Sequence, residues 1–309
     1  MAAQALPEHY PFRSRQARDR YLAFYDRRAA KWPVPSETRV IHTDQGETFV
    51  RISGPETAPP LVMLNGISTA SVMSPPPMIT AFAERYRLFT MDRPWEYGRS
   101  VNAGDDASAK AHVAWLGSVL DALDLDRVYL LGVSLGGWAV SEYALAHPER
   151  VTKLVWMMPN GVIGHKFTPA LLWNMRLGAR AMRSPSIKTV GDMLHDVTPD
   201  SLDAEPEAAR EDAEYVESIA LGMQCFEKRP LSLRDTNRRF SDAELRSLTM
   251  PVLYVAGERE TFSHPAKNIA RLSRVAPHVR TVVIPDCGHD LIILKPREAA
   301  AHIIEFLEA

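Results

Sequence analysis

The chain has 309 residues, 46% of them hydrophobic and 24% charged, with a formal net charge of -2. This is the composition of a globular protein with ample material for a large core, and it supplies no field that would draw nucleic acid. Cys225 and Cys287 lie far apart and make no metal pattern, which predicts a reducing, cytoplasmic compartment and no bound metal. The first nine residues have neither a basic start nor a long apolar core, so no secretion signal is expected. No run of about 20 apolar residues predicts a membrane span.

Residues 13–30 are charged, with Tyr21, Leu22, Phe24 and Tyr25 at helical spacing, and predict a helix on the core that ends near Trp32-Pro33-Val34-Pro35. Thr38–Thr43 and Thr48–Ile52 read as a hairpin across Asp44-Gln45-Gly46. From Leu61 the pattern alternates strand and helix. Strands are expected at Leu61–Leu64, Leu88–Met91, Val128–Leu131, Leu154–Met158, Val252–Ala256 and Thr281–Ile284. Helices are expected at Met78–Tyr86, Lys110–Leu123, Trp138–His147, Pro265–Val275 and Pro296–Leu307. Alternating units of this kind imply an α/β fold with a mostly parallel sheet covered on both faces.

The pattern breaks between about Val162 and Leu248. No strand is legible there, and Leu171, Leu172, Trp173, Met175, Leu177, Met182, Met193, Leu194, Met223 and Phe226 make it rich in Met, Trp and Leu. Two readings fit: a helical cap lining an apolar substrate pocket, with Trp173 and Met223 as substrate-binding candidates, or plain packing of the cap onto the sheet. The acidic run Asp200–Glu217 and the basic patch Arg229, Arg234, Arg238 and Arg239 read as solvated faces or loops. Length alone suggests about two domains. The pattern divides the chain instead into a core at 1–161, a helical cap at 162–248 and the rest of the core at 249–309.

Gly132-Val133-Ser134-Leu135-Gly136 stands between a strand and a helix, the context in which G-x-S-x-G makes a nucleophile elbow. A sharp turn crowds the residues two before and two after its apex, where glycine relieves the clash. Ser134 is then exposed at the positive end of a helix. A serine needs a base in reach. His289, in the loop after the last predicted strand, is the candidate in the chain order serine, acid, histidine. The acid should come from Gly257-Glu258-Arg259-Glu260. Glu260 lies past the tight turn and is preferred, with Glu258 the alternative. Two backbone donors must face the oxyanion. Leu135 follows the nucleophile, and Ile67 lies in the turn Asn65-Gly66-Ile67-Ser68 after the first parallel strand.

These residues resemble the α/β-hydrolase superfamily, in its lid-bearing esterase and lipase-like branch, from about Val40 to the C-terminus. Tyr21–Asp26 and Trp32–Pro35 are similar to a bacterial group of carboxylesterase-like proteins. The resemblance implies eight mainly parallel strands, a helical cap between the sixth and seventh, a Ser-acid-His triad, and no cofactor. Asp92, Gly98 and Ser100 match a family loop loosely, and Trp95-Glu96-Tyr97 departs from it. Asn65-Gly66 replaces the usual His-Gly, Glu260 the usual Asp, and Leu294 a frequent Glu.

The expected activity is hydrolysis of a carboxylic ester or thioester of a small acyl compound. The same triad also serves acyltransferases, cyclases and C–C bond hydrolases. A non-catalytic receptor using the cap pocket is a further reading.

Overall fold

Leu61-Val62-Met63-Leu64 has no polar position, and the segment it forms is buried along its whole length. Such a strand is stable only where both faces are covered. The structure is a computed structural model that describes residues 7–164, 169–195, 206–227, 236 and 238–309. Its strands are β1 (Ser36–Thr43), β2 (Gly46–Ser53), β3 (Pro60–Leu64), β4 (Arg87–Met91), β5 (Val101–Asn102), β6 (Val128–Val133), β7 (Val151–Met157), β8 (Val252–Gly257) and β9 (Val279–Ile284). They form one sheet in the order β1-β2-β4-β3-β6-β7-β8-β9, with the two-residue β5 paired to β2. Pairing is parallel from β4 through β9 and antiparallel where β2 meets β1, β4 and β5. Eight strands lie on the main path, as expected; the short β5 had no legible signal.

Helices cover both faces. Side chains alternate along a strand, so Val62, Leu64, Leu130, Leu154, Trp156 and Tyr254 point into one core layer. That layer is closed by α3 (Ala109–Ala122), α4 (Leu135–Ala146) and α9 (Pro265–Val275). Leu61, Met63, Leu131, Val133, Val155 and Leu253 point the other way, against α2 (Pro76–Ala83), the short α10 (Leu291–Leu294) and α11 (Pro296–Glu308). Fully burying each such side chain contributes about 1.5–3 kcal/mol. The hairpin expected across Asp44-Gln45-Gly46 closes between Thr43 and Gly46.

The first helix, α1 (Arg15–Ala29), is capped by Ser14, whose Oγ accepts from the Ala17 N–H. Between β7 and β8 lie α5 (Pro169–Arg183), α6 (Ile187–His195), α7 (Pro206–Cys225) and α8 (Asp242–Ser247). Val162 and Ile163 at one end, and Phe240, Leu245 and Leu248 at the other, belong to the sheet's own core layer. The acidic run is not a simple solvated face. Where it is described, Glu211 and Glu214 pair with Arg28, and Glu217 pairs with Arg27. Arg238 likewise pairs with Glu142 and Glu244. Residues 200–205, Arg229 and Arg234 lie outside the described residues.

Candidate active site

The C-terminal ends of the parallel strands share one edge of the sheet, and the loops that leave it meet there. β6 ends at Val133 and α4 begins at Leu135, so Ser134 alone makes the turn. Its backbone sits at φ 51°, ψ -115°, a conformation that costs a non-glycine residue roughly 1–3 kcal/mol. The surroundings impose it: the Ser134 N–H donates to Met157 O at 2.9 Å, and Ser134 O accepts from Asn160 N–H at 2.9 Å. A Cβ on Gly132 would lie 2.4 Å from Gly136 O, and one on Gly136 would lie 2.2 Å from Leu64 O. Only glycine fits at either side of the apex.

His289 follows β9 on its loop. Its Nε2 lies 3.2 Å from Ser134 Oγ, and its Nδ1 lies 3.0 Å from each carboxylate oxygen of Glu260. Glu260 is buried, 3% exposed, whereas Glu258 is exposed. Gly257 opens the turn that carries both: its carbonyl accepts from Glu260 N–H at 3.3 Å, and a Cβ on it would lie 2.5 Å from Gly288 O. Phe262 N–H donates to Glu260 Oε1 at 2.9 Å, and the Phe262 ring meets His289 edge-on at 4.8 Å. The structure thus brings Ser134, His289 and Glu260 into one hydrogen-bonded line. Burial works to lower the His289 pKa. The charge and hydrogen bond of Glu260, then the charge of Asp290, outweigh it, and the net shift is upward. Asp290 Oδ1 is spent on the Gly288 N–H, 2.9 Å away.

The turn after β3 passes beside the nucleophile: a Cβ on Gly66 would stand 3.5 Å from Ser134 Cβ. Asn65, in place of histidine, is buried and donates through Nδ2 to Ala70 O and Ser74 Oγ. Leu135 opens α4, and the N–H groups of a first helical turn have no acceptor within the helix. The loop carrying Asp92 is a structural knot. Asp92 accepts from Ser71 N–H, Arg99 N–H and the Tyr25 hydroxyl, and a Cβ on Gly98 would fall 2.5 Å from its Cγ.

The two cap candidates part company. Trp173 is 53% exposed. Met223 is half-buried and packs beside Ala181, Val190, Val216, Ile219 and Ala220. Phe226 packs with Phe12 and Tyr21. Leu171 and Leu172 have no described side chains. Sequence reasoning did not single out Arg93 or Glu96, which the fold sets against the Gly66–Ser68 turn. The only signal was that Trp95-Glu96-Tyr97 breaks the family pattern.

A parallel sheet with a serine on its central strand-to-helix turn defines the class, and the sequence agrees: the chain belongs to the α/β hydrolase fold family, matched over residues 59–296. Among its relatives is carboxylesterase YbfK of Bacillus subtilis, 28% identical over 293 residues that span 93% of each chain. The crystal structure of that enzyme superposes with a TM-score of 0.82, covering 94% of this chain and 98% of that one at 26% identity. Naproxen esterase of Bacillus subtilis superposes at 0.83 and 25% identity, over 98% of this chain and 100% of that one. A 2-hydroxy-6-oxononadienedioate/2-hydroxy-6-oxononatrienedioate hydrolase of Cupriavidus pinatubonensis is also 28% identical, over 82% of this chain and 89% of its own length.

Proposed function

We propose that this chain is a serine hydrolase that cleaves a carboxylic ester or thioester of a small acyl compound through an acyl-enzyme. The observation that carries the reading is His289, with one ring nitrogen 3.2 Å from Ser134 Oγ and the other 3.0 Å from the Glu260 carboxylate. In this mechanism Ser134 Oγ attacks the carbonyl carbon while His289 Nε2 takes its proton. Glu260 holds the imidazole by its Nδ1–H and stabilises the imidazolium. The Leu135 and Ile67 N–H groups donate to the oxyanion. The leaving group departs with the proton from His289. Water then attacks the acyl-enzyme, loses a proton to His289, and Ser134 is restored as the acid leaves. No metal or organic cofactor enters these steps.

The likeness to two carboxylesterases over more than nine-tenths of the chain supports ester cleavage. C–C bond hydrolysis is the second reading, supported by the likeness to the nonadienedioate hydrolase, which covers less of the chain. Trp173, exposed on α5, is proposed to meet the acyl portion of the substrate, whereas Met223 packs among the inserted helices. A cytoplasmic location accords with Cys225 and Cys287, both free and buried. Among the described residues no helix is long and apolar enough to cross a membrane.

A fluorophosphonate should add one covalent mass at Ser134, and p-nitrophenyl ester turnover should disappear in Ser134→Ala with the fold intact. Persistent turnover in Ser134→Ala would overturn the proposal.

A further inference from the structure

An N–H can serve an oxyanion only if its peptide plane is turned toward the nucleophile, and an isolated loop has no reason to hold it so. The Gly66–Ile67 peptide is trans, so its C=O and N–H point in opposite directions. Whatever grips the Gly66 carbonyl therefore aims the Ile67 N–H. The grip is Arg93, whose Nη2 donates to Gly66 O at 3.0 Å. The next peptide plane is held at both ends. Thr69 Oγ1 donates to Ile67 O at 3.0 Å, and Glu96 Oε2 accepts from Ser68 N–H at 2.5 Å. Ser68 has φ 57°, a left-handed conformation unfavourable for an L residue, so it persists only where it is held.

Arg93 and Glu96 are themselves one unit. Glu96 N–H donates to Arg93 O at 3.0 Å, closing the turn Arg93-Pro94-Trp95-Glu96, and their side chains form an ion pair at 3.5 Å. Both are buried, Arg93 to 3% exposure. Burial acts to lower the Arg93 pKa against the raising charge of Glu96, and the net shift is downward. Trp95 nails the turn to the core, its ring 4.2 Å from His112 and 6.0 Å from Trp115. A charged pair buried at this depth is weak evidence for stability in itself. Here it grips both peptide planes that flank Ile67.

We infer that Arg93 and Glu96 are positioning residues for the oxyanion hole: the pair fixes the two peptide planes around Ile67 so that its N–H faces Ser134. The inference rests on the serine-hydrolase reading and on Ile67 as the second donor. Arg93 also places positive charge on the Gly66 carbonyl, which polarises the same peptide and strengthens its N–H as a donor.

The test uses the full-length chain and three variants: Glu96→Gln, which keeps an acceptor for Ser68 N–H; Arg93→Lys, which keeps the charge and one donor; and the charge-balanced double variant Arg93→Met/Glu96→Gln. The readouts are kcat and KM on p-nitrophenyl acetate, affinity for a trifluoromethyl ketone that forms a tetrahedral adduct, and melting temperature. Losing one oxyanion donor costs on the order of a hundredfold to a thousandfold in kcat, and a misaimed donor should approach that. The double variant should lose kcat to that degree, with KM little changed and ketone affinity falling in parallel. Arg93→Lys and Glu96→Gln should retain much more activity than the double variant. Should the double variant fail to fold, Arg93→Lys carries the test, with a fall in both kcat and ketone affinity expected. A kcat and ketone affinity within about threefold of the parent in every folded variant would overturn the inference, as would a loss confined to KM. If the parent itself is neither labelled at Ser134 by a fluorophosphonate nor active, the serine-hydrolase reading has failed instead.

Discussion

Glu258 and Glu260 are the same amino acid two positions apart, and the fold treats them as opposites. The turn at Gly257 leaves Glu258 in solvent and buries Glu260 against His289. The proposed orienting role of Glu260 predicts that Glu260→Gln loses on the order of a hundredfold to ten-thousandfold in kcat. Glu258→Gln should stay near the parent. The reverse result, read from kcat and melting temperature of both variants, would move the acid to Glu258. His289 adds a pH signature. Its pKa is raised despite burial because Glu260 faces it. The acid limb of kcat/KM should therefore lie above the ordinary histidine value of about 6.5. Removing the Glu260 charge leaves burial to dominate, so the limb should move to lower pH in Glu260→Gln. An unmoved limb would mean that another group titrates there. The same raised pKa contributes stability at pH below the ordinary histidine value, and that contribution is lost as pH rises through the folded pKa.

At the scale of elements, the inserted helices divide their apolar side chains between two jobs. α5 turns Trp173, Met175 and Met182 outward, whereas Met223 on α7 packs among Val190, Val216 and Ile219. Composition alone could not separate these, because a Met or Trp at helical spacing looks the same whether it meets a neighbour or a substrate. The positions now predict different outcomes. Trp173→Ala should change the preferred acyl chain length across a series of p-nitrophenyl esters and leave the melting temperature unchanged. Met223→Ala should lower the melting temperature, since burying a methionine against a packed cluster is worth roughly 2–5 kcal/mol when fully enclosed and less at partial exposure. A drop in melting temperature for Trp173→Ala, with equal loss on all chain lengths, would sink its proposed contact with substrate. α7 also reaches the nucleophile's surroundings: the Tyr215 hydroxyl lies 2.9 Å from Thr69 Oγ1, beside the Gly66–Ser68 turn.

Across the whole molecule, α1 is an integral brace and no appendage. Phe12, Tyr21, Phe24 and Tyr25 form one cluster with Ala70, Val72 and Met73 after the Gly66–Ser68 turn, and with Leu221, Cys225 and Phe226 at the end of α7. Arg28, 4% exposed, ties α1 to Glu211 and Glu214. Arg27, 61% exposed, meets Glu217 at the surface. Hydrogen bonds to charged groups contribute about 1.5–3 kcal/mol, so Arg28→Ala should lower the unfolding free energy by that order. An exposed pair contributes roughly 0–1 kcal/mol, so Arg27→Ala should scarcely register. Urea unfolding of both variants checks the contrast, and equal small effects would show that α1 is held by its aromatic side chains alone.

The βα alternation from Leu61 onward, the elbow glycines around Ser134 and the chain order Ser134, Glu260, His289 were legible in the sequence. Each is a local rule: apolar period, turn sterics, and a motif set by its flanking strand and helix. The two-residue β5 was not legible, because so short a strand has no period. Neither were the pairing of Glu211 and Glu214 with Arg28 and the seat of Arg93 and Glu96 on the Gly66–Ser68 turn. In the one-dimensional chain those side chains are only charges in polar stretches, separated by 183 residues for Arg28 and Glu211. Which charge meets which partner, and whether water is excluded around them, is decided only when the fold packs segments far apart in the chain against one another. From there the low dielectric of the interior turns an ordinary Arg and Glu into a fixed and directional pair.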